Sequence, residues 1–315
     1  MAAEAAIRGA RVTSEPSASG PPLSTRAPAK VNLTLHIEGR RPDGWHELTS
    51  LVAFASASDT LTLSPGPELL IGVSGPRAAG AGPPVDNLVL KAARLLRDAR
   101  PGLRTGSFNL LKRLPSAAGI GGGSSDAAAA LRLLARANGL APDDAVLAEV
   151  ARQVGSDVPV CLEPRARMMG GTGDVLGPAL QLPPLFAVLV NPGVPVETAP
   201  VFKAIDLAPG AASGYGGHPT IPDGPSALTG LGFDGFVTLL KKGRNDMEAA
   251  ACMLAPVVGD VLAVLGAAKG CRLARMSGSG ATCFGLFETC RAAVRAGRAI
   301  SASRPDWWVK ATALR

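Results

Sequence analysis

Between Leu114 and Asp126 the chain reads Leu-Pro-Ser-Ala-Ala-Gly-Ile-Gly-Gly-Gly-Ser-Ser-Asp and runs straight into AAAALRLLARA. Four glycines within the five residues 119–123 suit neither the middle of a helix nor a strand, because glycine loses the most backbone freedom on ordering. They suit a tight loop whose N–H groups no Cβ obstructs. The run from Ser124 to about Asn138 reads as a helix, whose first N–H groups lack partners and whose dipole leaves positive charge at its start. A glycine-rich turn feeding a helix N-terminus makes an anion site fit for a polyphosphate, with the Ser124 and Ser125 hydroxyls available to phosphate oxygens or a metal. It is not a Walker A loop, since Gly123-Ser124-Ser125 holds no lysine. It begins like a dinucleotide-binding turn at Gly119-Ile120-Gly121, but Pro115 lies just before it and the acid required about 20 residues on has only Asp143 or Asp144 as candidates.

The rest of the chain can build a core around that loop. Of 315 residues, 47% are apolar and 18% charged, which excludes a wholly disordered chain and suits one large or two modest domains. Aromatics are 4%, with Tyr215 the one tyrosine, so a base-stacking nucleic-acid platform is not expected. The cysteines Cys161, Cys252, Cys271, Cys283 and Cys290 form no CxxC pair. A reducing, cytoplasmic setting is therefore expected rather than zinc or disulfides. The net charge of +7 is compatible with a polyanionic small substrate without identifying one. Arg291, Arg295 and Arg298 read as a solvated helix face. The most apolar stretch, 247–268, is broken by Pro256 and carries Glu248 and Asp260, so no membrane partner is expected. Residues 1–24, rich in Ala, Ser and Pro, read as a disordered tail.

Strands are expected at 29–37, interrupted by Asn32, in two stretches within 48–63, and at 108–114, 185–190, 272–277, 281–287 and 308–313. Helices are expected at 87–99 with Asp86 as cap, and at 124–138, 143–154, 234–242 and 246–269, with a last one in the basic stretch after Glu288. Residues 208–235, dense in Gly and Pro, read as a long loop. The natural boundary lies near 177–184, between halves at 25–180 and 185–315.

Five segments, in order along the chain, give these halves a family. The run from Pro115 through Gly119 and Gly121-Gly122-Gly123 to Ser124-Ser125 resembles the ATP-binding loop of the GHMP kinase superfamily of small-molecule kinases. Pro28-Ala-Lys30-Val-Asn32-Leu resembles its N-terminal strand. Gly155-Ser156-Asp157-Val158-Pro159 and Met276-Ser277-Gly278-Ser279-Gly280-Ala281-Thr282 are similar to its later loops. Arg41-Pro-Asp43-Gly44-Trp45-His46-Glu47-Leu48 resembles the branch that acts on a cytidine-diphosphate-linked methylerythritol.

The resemblance implies an α+β, two-domain GHMP kinase fold, with a ribosomal-protein-S5-like N-terminal domain, a ferredoxin-like C-terminal domain and the substrates in the cleft between. It implies that ATP phosphorylates the 2-hydroxyl of that cytidine compound in the non-mevalonate isoprenoid precursor pathway. Mg²⁺ would arrive with the nucleotide, held by Ser125 or mainly by the phosphates. The implied partners are small molecules only, for a monomer or weak homodimer. Pro115, Ser116, Ala117, Ala118, Gly119, Ile120, Gly121, Gly122, Gly123, Ser124 and Ser125 would bind ATP, and Lys112 would face the adenosine.

A tertiary alcohol is a weak nucleophile and needs a base in line with the γ-phosphate. Asp157 is the implied base and Lys30 the cation beside it, although an aspartate in such a loop also fits an Asx turn or helix cap. Trp45 and Phe202 would take the two faces of cytosine and His46 its edge. Asn32, Thr198, Gly278 and Gly280 would complete the substrate site. Asn245-Asp246 with Glu248 reads as a structural helix start capped by Asp246. Homoserine, mevalonate or galactose kinase, a dinucleotide-binding oxidoreductase and a noncatalytic phosphate- or RNA-binding module are the alternatives.

Overall fold

The computed structural model describes residues 20–315 apart from 223 and 225. Most of the tail expected at 1–24 lies outside the described residues. Its last two, Leu23 and Ser24, are strand, pairing with Leu63 and Thr62.

The organising element is a 20-residue strand. After β1 (Leu23–Asn32) and β2 (His36–Arg40), β3 (His46–Pro65) runs unbroken where two stretches were expected, since no Gly or Pro interrupts it before Pro65. Alternation sends Val52 and Phe54 into one core and Leu51, Ala53 and Ala55 into another, so the strand is buried on both faces. The strand expected at 29–37 is two. β1 carries a bulge between Pro28 and Lys30, where proline has no N–H for the ladder.

β4 (Leu70–Ser74) lies parallel to β5 (Gly106–Leu111), which pairs antiparallel with β3. Helix α1 (Leu88–Ala99) is capped by the side chain of Asn87, not Asp86. With α2 (Gly122–Asn138), α3 (Ala145–Val154) and α4 (Val158–Leu162) it covers the first core. β6 (Arg167–Gly171) pairs with β3 and with β7 (Val175–Ala179), and residues 180–184 lead into β8 (Leu185–Asn191).

After α5 (Thr198–Ile205), the loop expected at 208–235 ends early, in α6 (Ala227–Gly230) and α7 (Gly232–Lys242). The helix expected at 246–269 is split by Pro256 into α8 (Glu248–Leu254) and α9 (Val257–Ala267). β9 (Cys271–Met276), β10 (Cys283–Phe287), α10 (Cys290–Ser303) and β11 (Trp308–Leu314) complete the chain. The halves are not separate sheets. β11 pairs with β8 and reaches β3 at Leu314 and Ala55, and Phe54 and Arg315 exchange both backbone hydrogen bonds. One path therefore runs β4-β5-β3-β11-β8-β10-β9.

The loop before α6 is fastened to β2 by Arg40 N–H to Ala211 O at 2.8 Å and Ser213 N–H to Glu38 O at 2.9 Å. Two histidines share the fastening, with ring centroids 4.7 Å apart. His218 Nε2 is 2.6 Å from Thr34 Oγ1, and the backbone N–H of Arg244 donates to His36 Nε2 at 3.1 Å. Burial, then the charge of Arg244, lowers the His36 pKa to about 4; His218 and Arg275 act the same way and Asp246 opposes them. Because the folded value lies below the ordinary 6.5, the stabilisation is full above pH 6.5 and is lost as pH falls toward 4. We expect a loss on the order of 3 kcal/mol across that window. Urea midpoints should fall less steeply with acid in His36→Asn; parallel curves for the two proteins would refute the assignment.

Candidate active site

A cleft of about 980 Å³ runs between the halves. Lys30, on β1, is 3% exposed, and its Nζ donates to Asp157 Oδ1 at 2.7 Å. Asp157 stands at the N-cap position of α4 but its side chain makes no cap bond. The carboxylate is thus committed to Lys30 and to the cleft rather than to holding a turn. The backbone N–H of Lys30 donates to Ile120 O at 2.9 Å, tying the pair to the glycine loop.

Gly121 brings the loop against the pair. It has φ +58°, and a Cβ there would lie 3.3 Å from Lys30 Cβ and 3.8 Å from Asp157 Oδ2. It is also the N-cap of α2, so the unpartnered N–H groups of the first turn open beside Lys30 and Asp157. Gly119 answers to a different neighbour. With φ +71°, its Cβ would fall 2.4 Å from Ser277 O. Ser277 Oγ donates to Gly119 O at 2.9 Å, and Thr282 N–H to Ala118 O at 3.1 Å. The two glycine loops therefore interlock.

Of the expected ATP residues, Ala117, Ala118, Gly119, Gly121, Gly122, Gly123 and Ser124 line the cleft. Pro115, Ser116, Ile120 and Ser125 do not. Ser116 borders a smaller adjoining cavity of about 160 Å³, Ile120 packs into a core, and Ser125 is fully buried with no hydrogen-bond partner for its Oγ. Of the two serines, Ser124 faces the cleft. Among the described residues no three His, Cys, Asp or Glu side chains group to hold a metal. The donor set fits Mg²⁺ only as one bound largely by phosphates and water, with Asp157 and Ser124 among the side-chain oxygens that line the cleft.

At the acceptor end Asn32, Trp45, His46, Thr198, Phe202 and Gly278 line the same cleft. Asn32 Nδ2 donates to Ser50 Oγ at 2.8 Å, while its buried Oδ1 has no partner. Thr198 opens α5, and its Oγ1 is 2.9 Å from Ser279 Oγ. Trp45 is 63% exposed. The aromatic arrangement differs from the expected one. His46 lies flat on Phe202, ring centroids 4.1 Å apart and planes 13° apart, so the imidazole covers one phenyl face and Phe202 does not offer that face to a base. Burial, then Arg40, lowers the His46 pKa, and its Nε2 is buried without a hydrogen-bond partner.

Gly280 is not in the cleft lining; a Cβ on it would lie 2.7 Å from Met276 Sδ, so its smallness serves packing. Lys112 faces two carboxylates, with Nζ 2.6 Å from both Asp59 Oδ2 and Asp126 Oδ2. Burial pushes Lys112 down, but Asp126 and Asp59 outweigh it and hold its pKa above the ordinary value. Burial drives Asp126 up to about 7 against the pull of Lys112. Asp246 does not cap α8. It accepts from Ile37 N–H at 2.7 Å and pairs with Arg244. Asn245 Nδ2 donates to Met276 O at 2.9 Å and Gly278 O at 2.8 Å, and Glu248 accepts from Met276 N–H. The Asn-Asp-x-Glu segment thus shapes the second glycine loop. Sequence reasoning missed Arg40, Glu197, Lys203, Asp206 and Ser279 in the cleft wall. Ser279 lay inside a motif, Glu197 opened the substrate-like segment 197–202 that holds Thr198 and Phe202, and Arg40 stood just before a motif; Lys203 and Asp206 carried no signal.

A buried lysine–carboxylate pair against a glycine loop at a helix start defines a small-molecule kinase site, and the matched families agree. GHMP kinases N terminal domain matches residues 87–164 and GHMP kinases C terminal matches 238–306. A homoserine kinase structure from Cytophaga hutchinsonii shares the fold at TM-score 0.63 and 19% identity, covering 92% of this chain and 94% of that one. The crystal structure of a 4-(cytidine 5'-diphospho)-2C-methyl-D-erythritol kinase matches at TM-score 0.69 and 34% identity, covering 93% of this chain and 99% of that one. A 4-diphosphocytidyl-2-C-methyl-D-erythritol kinase of Methylobacterium radiotolerans is 60% identical over 93% of this chain and 99% of its own length. The chain belongs to the 4-diphosphocytidyl-2-C-methyl-D-erythritol kinase family of GHMP kinases.

Proposed function

We propose that the cleft transfers the γ-phosphoryl group of ATP to the 2-hydroxyl of 4-diphosphocytidyl-2-C-methyl-D-erythritol. The observation that carries this is the Lys30–Asp157 pair at 2.7 Å with Gly121 packed against it. The acceptor oxygen attacks the γ-phosphorus, its proton passes to Asp157, and the bond to the β-phosphate oxygen breaks to release ADP. The α2 N-terminus meets charge on the nucleotide phosphates, and Lys30 steadies charge on the transferring group. Mg²⁺, if bound with the nucleotide, would be held mainly by the phosphates and would supply neutralisation of their charge. The five free cysteines suit the cytoplasm, and no helix among the described residues is long and apolar enough to cross a membrane.

ADP release with this acceptor, against mevalonate, homoserine and galactose, tests the reading; equal turnover of all four would overturn it. The base is read by Trp45, His46 and Phe202. For that, the imidazole must offer its unpartnered Nε2 to the base edge while Trp45 supplies a face. A site that hydrogen-bonds a base edge rejects an analogue that leaves it unpaired. The cytidine acceptor should exceed its uridine analogue by about tenfold or more in kcat/KM. His46→Ala should shrink that ratio, and an unchanged ratio would remove His46 from the role.

A further inference from the structure

The acceptor read above carries a diphosphate between its base and its alcohol, so the cleft wall must meet negative charge drawn out of bulk water. Three cationic side chains line that wall: Lys30, Arg40 and Lys203. Lys30 is committed to Asp157, and Lys203 is exposed on α5. Arg40 differs from both. It ends β2, half-buried, on the strand-turn segment that carries Trp45 and His46. Its Nε donates to Gly44 O at 3.1 Å and its Nη1 to Leu207 O at 3.0 Å. Both acceptors are neutral. Arg41 next to it is paired with Asp43 at 2.8 Å, whereas Arg40 has no carboxylate within ion-pair distance among the described residues.

A half-desolvated cation without a counter-charge is costly, and an anionic ligand removes the cost. The guanidinium is already oriented by its two carbonyl partners and presents planar, forked donors that suit phosphate oxygens. We propose that Arg40 anchors the diphosphate of the acceptor and so selects a nucleoside-diphosphate-linked alcohol. This rests on the cytidine-diphosphate reading of the cleft.

Calorimetric titration of the full chain with cytidine and with cytidine diphosphate tests it. Wild type should bind the diphosphate more tightly by about tenfold or more, the scale of a charge-assisted contact. Arg40→Met should lose that gain and keep its affinity for cytidine, and Arg40→Lys, which keeps the charge without the fork, should retain part of the gain. If Arg40→Met weakens both ligands equally, the side chain only braces the turn and the proposal falls. It falls equally if the gain survives in Arg40→Met, or, should that variant not fold, if the gain is undiminished in Arg40→Lys. A wild-type chain that binds neither ligand overturns the cytidine reading itself, and the proposal with it.

Discussion

Asp157→Asn should lower kcat by about 10²–10⁴-fold, the usual contribution of a positioned base, with little change in the binding of acceptor or ATP. The amide is nearly isosteric, and its oxygen can still accept from Lys30 Nζ, now 2.7 Å from Oδ1. What it cannot do is take a proton from the attacking alcohol. Single-turnover rates alongside equilibrium titrations separate the two effects. Near-normal turnover in Asp157→Asn would show that the acceptor loses its proton elsewhere, and the pair would then be a positioning device.

Lys112→Met should cost about 3–5 kcal/mol of folding stability, the range for removing one partner of a buried ionic group. Asp59 is 0% and Asp126 3% exposed, and without the ammonium their carboxylates would share one dry site. Arg113 and Leu114 also donate their N–H groups to Asp59 Oδ1, so the approach to the glycine loop would loosen too. Urea denaturation gives the loss. Combining Lys112→Met with Asp59→Asn and Asp126→Asn should recover part of it, because an uncharged trio carries no unpaired ion. A single-variant loss below about 1 kcal/mol would mean that the three groups are not coupled as their distances imply.

The contrast between these two sites marks what a sequence can disclose. Lys30 and Asp157 are 127 residues apart, yet each stood in a short segment whose chemistry invited a partner. The glycine loop was legible because glycine density and a following helix are local facts. Lys112 reaches Asp59 over 53 residues and Asp126 over 14, and none of the three sits in a pattern that signals burial, so the lysine was read as facing a ligand. Gly280 misled for a related reason: a glycine spared for Met276 and a glycine spared for a substrate look alike in one dimension. The stacking of His46 on Phe202 depends on how α5 docks beside β3, which no spacing encodes. Asp246 was named for the wrong duty because the donor its carboxylate accepts from, Ile37 N–H, lies 209 residues away.

The interlock of Gly119 with the 277–280 turn also bears on how the chain matures. Ser277 Oγ holds Gly119 O across 158 residues, and contacts of such span form late, after slow loop closure. A nascent chain that has not yet delivered residue 277 lacks the brace on the 119–123 glycine loop, however well its first helices have folded. Nucleotide affinity should therefore arise during refolding only when the halves dock, and a chain that ends before residue 277 should bind ATP weakly.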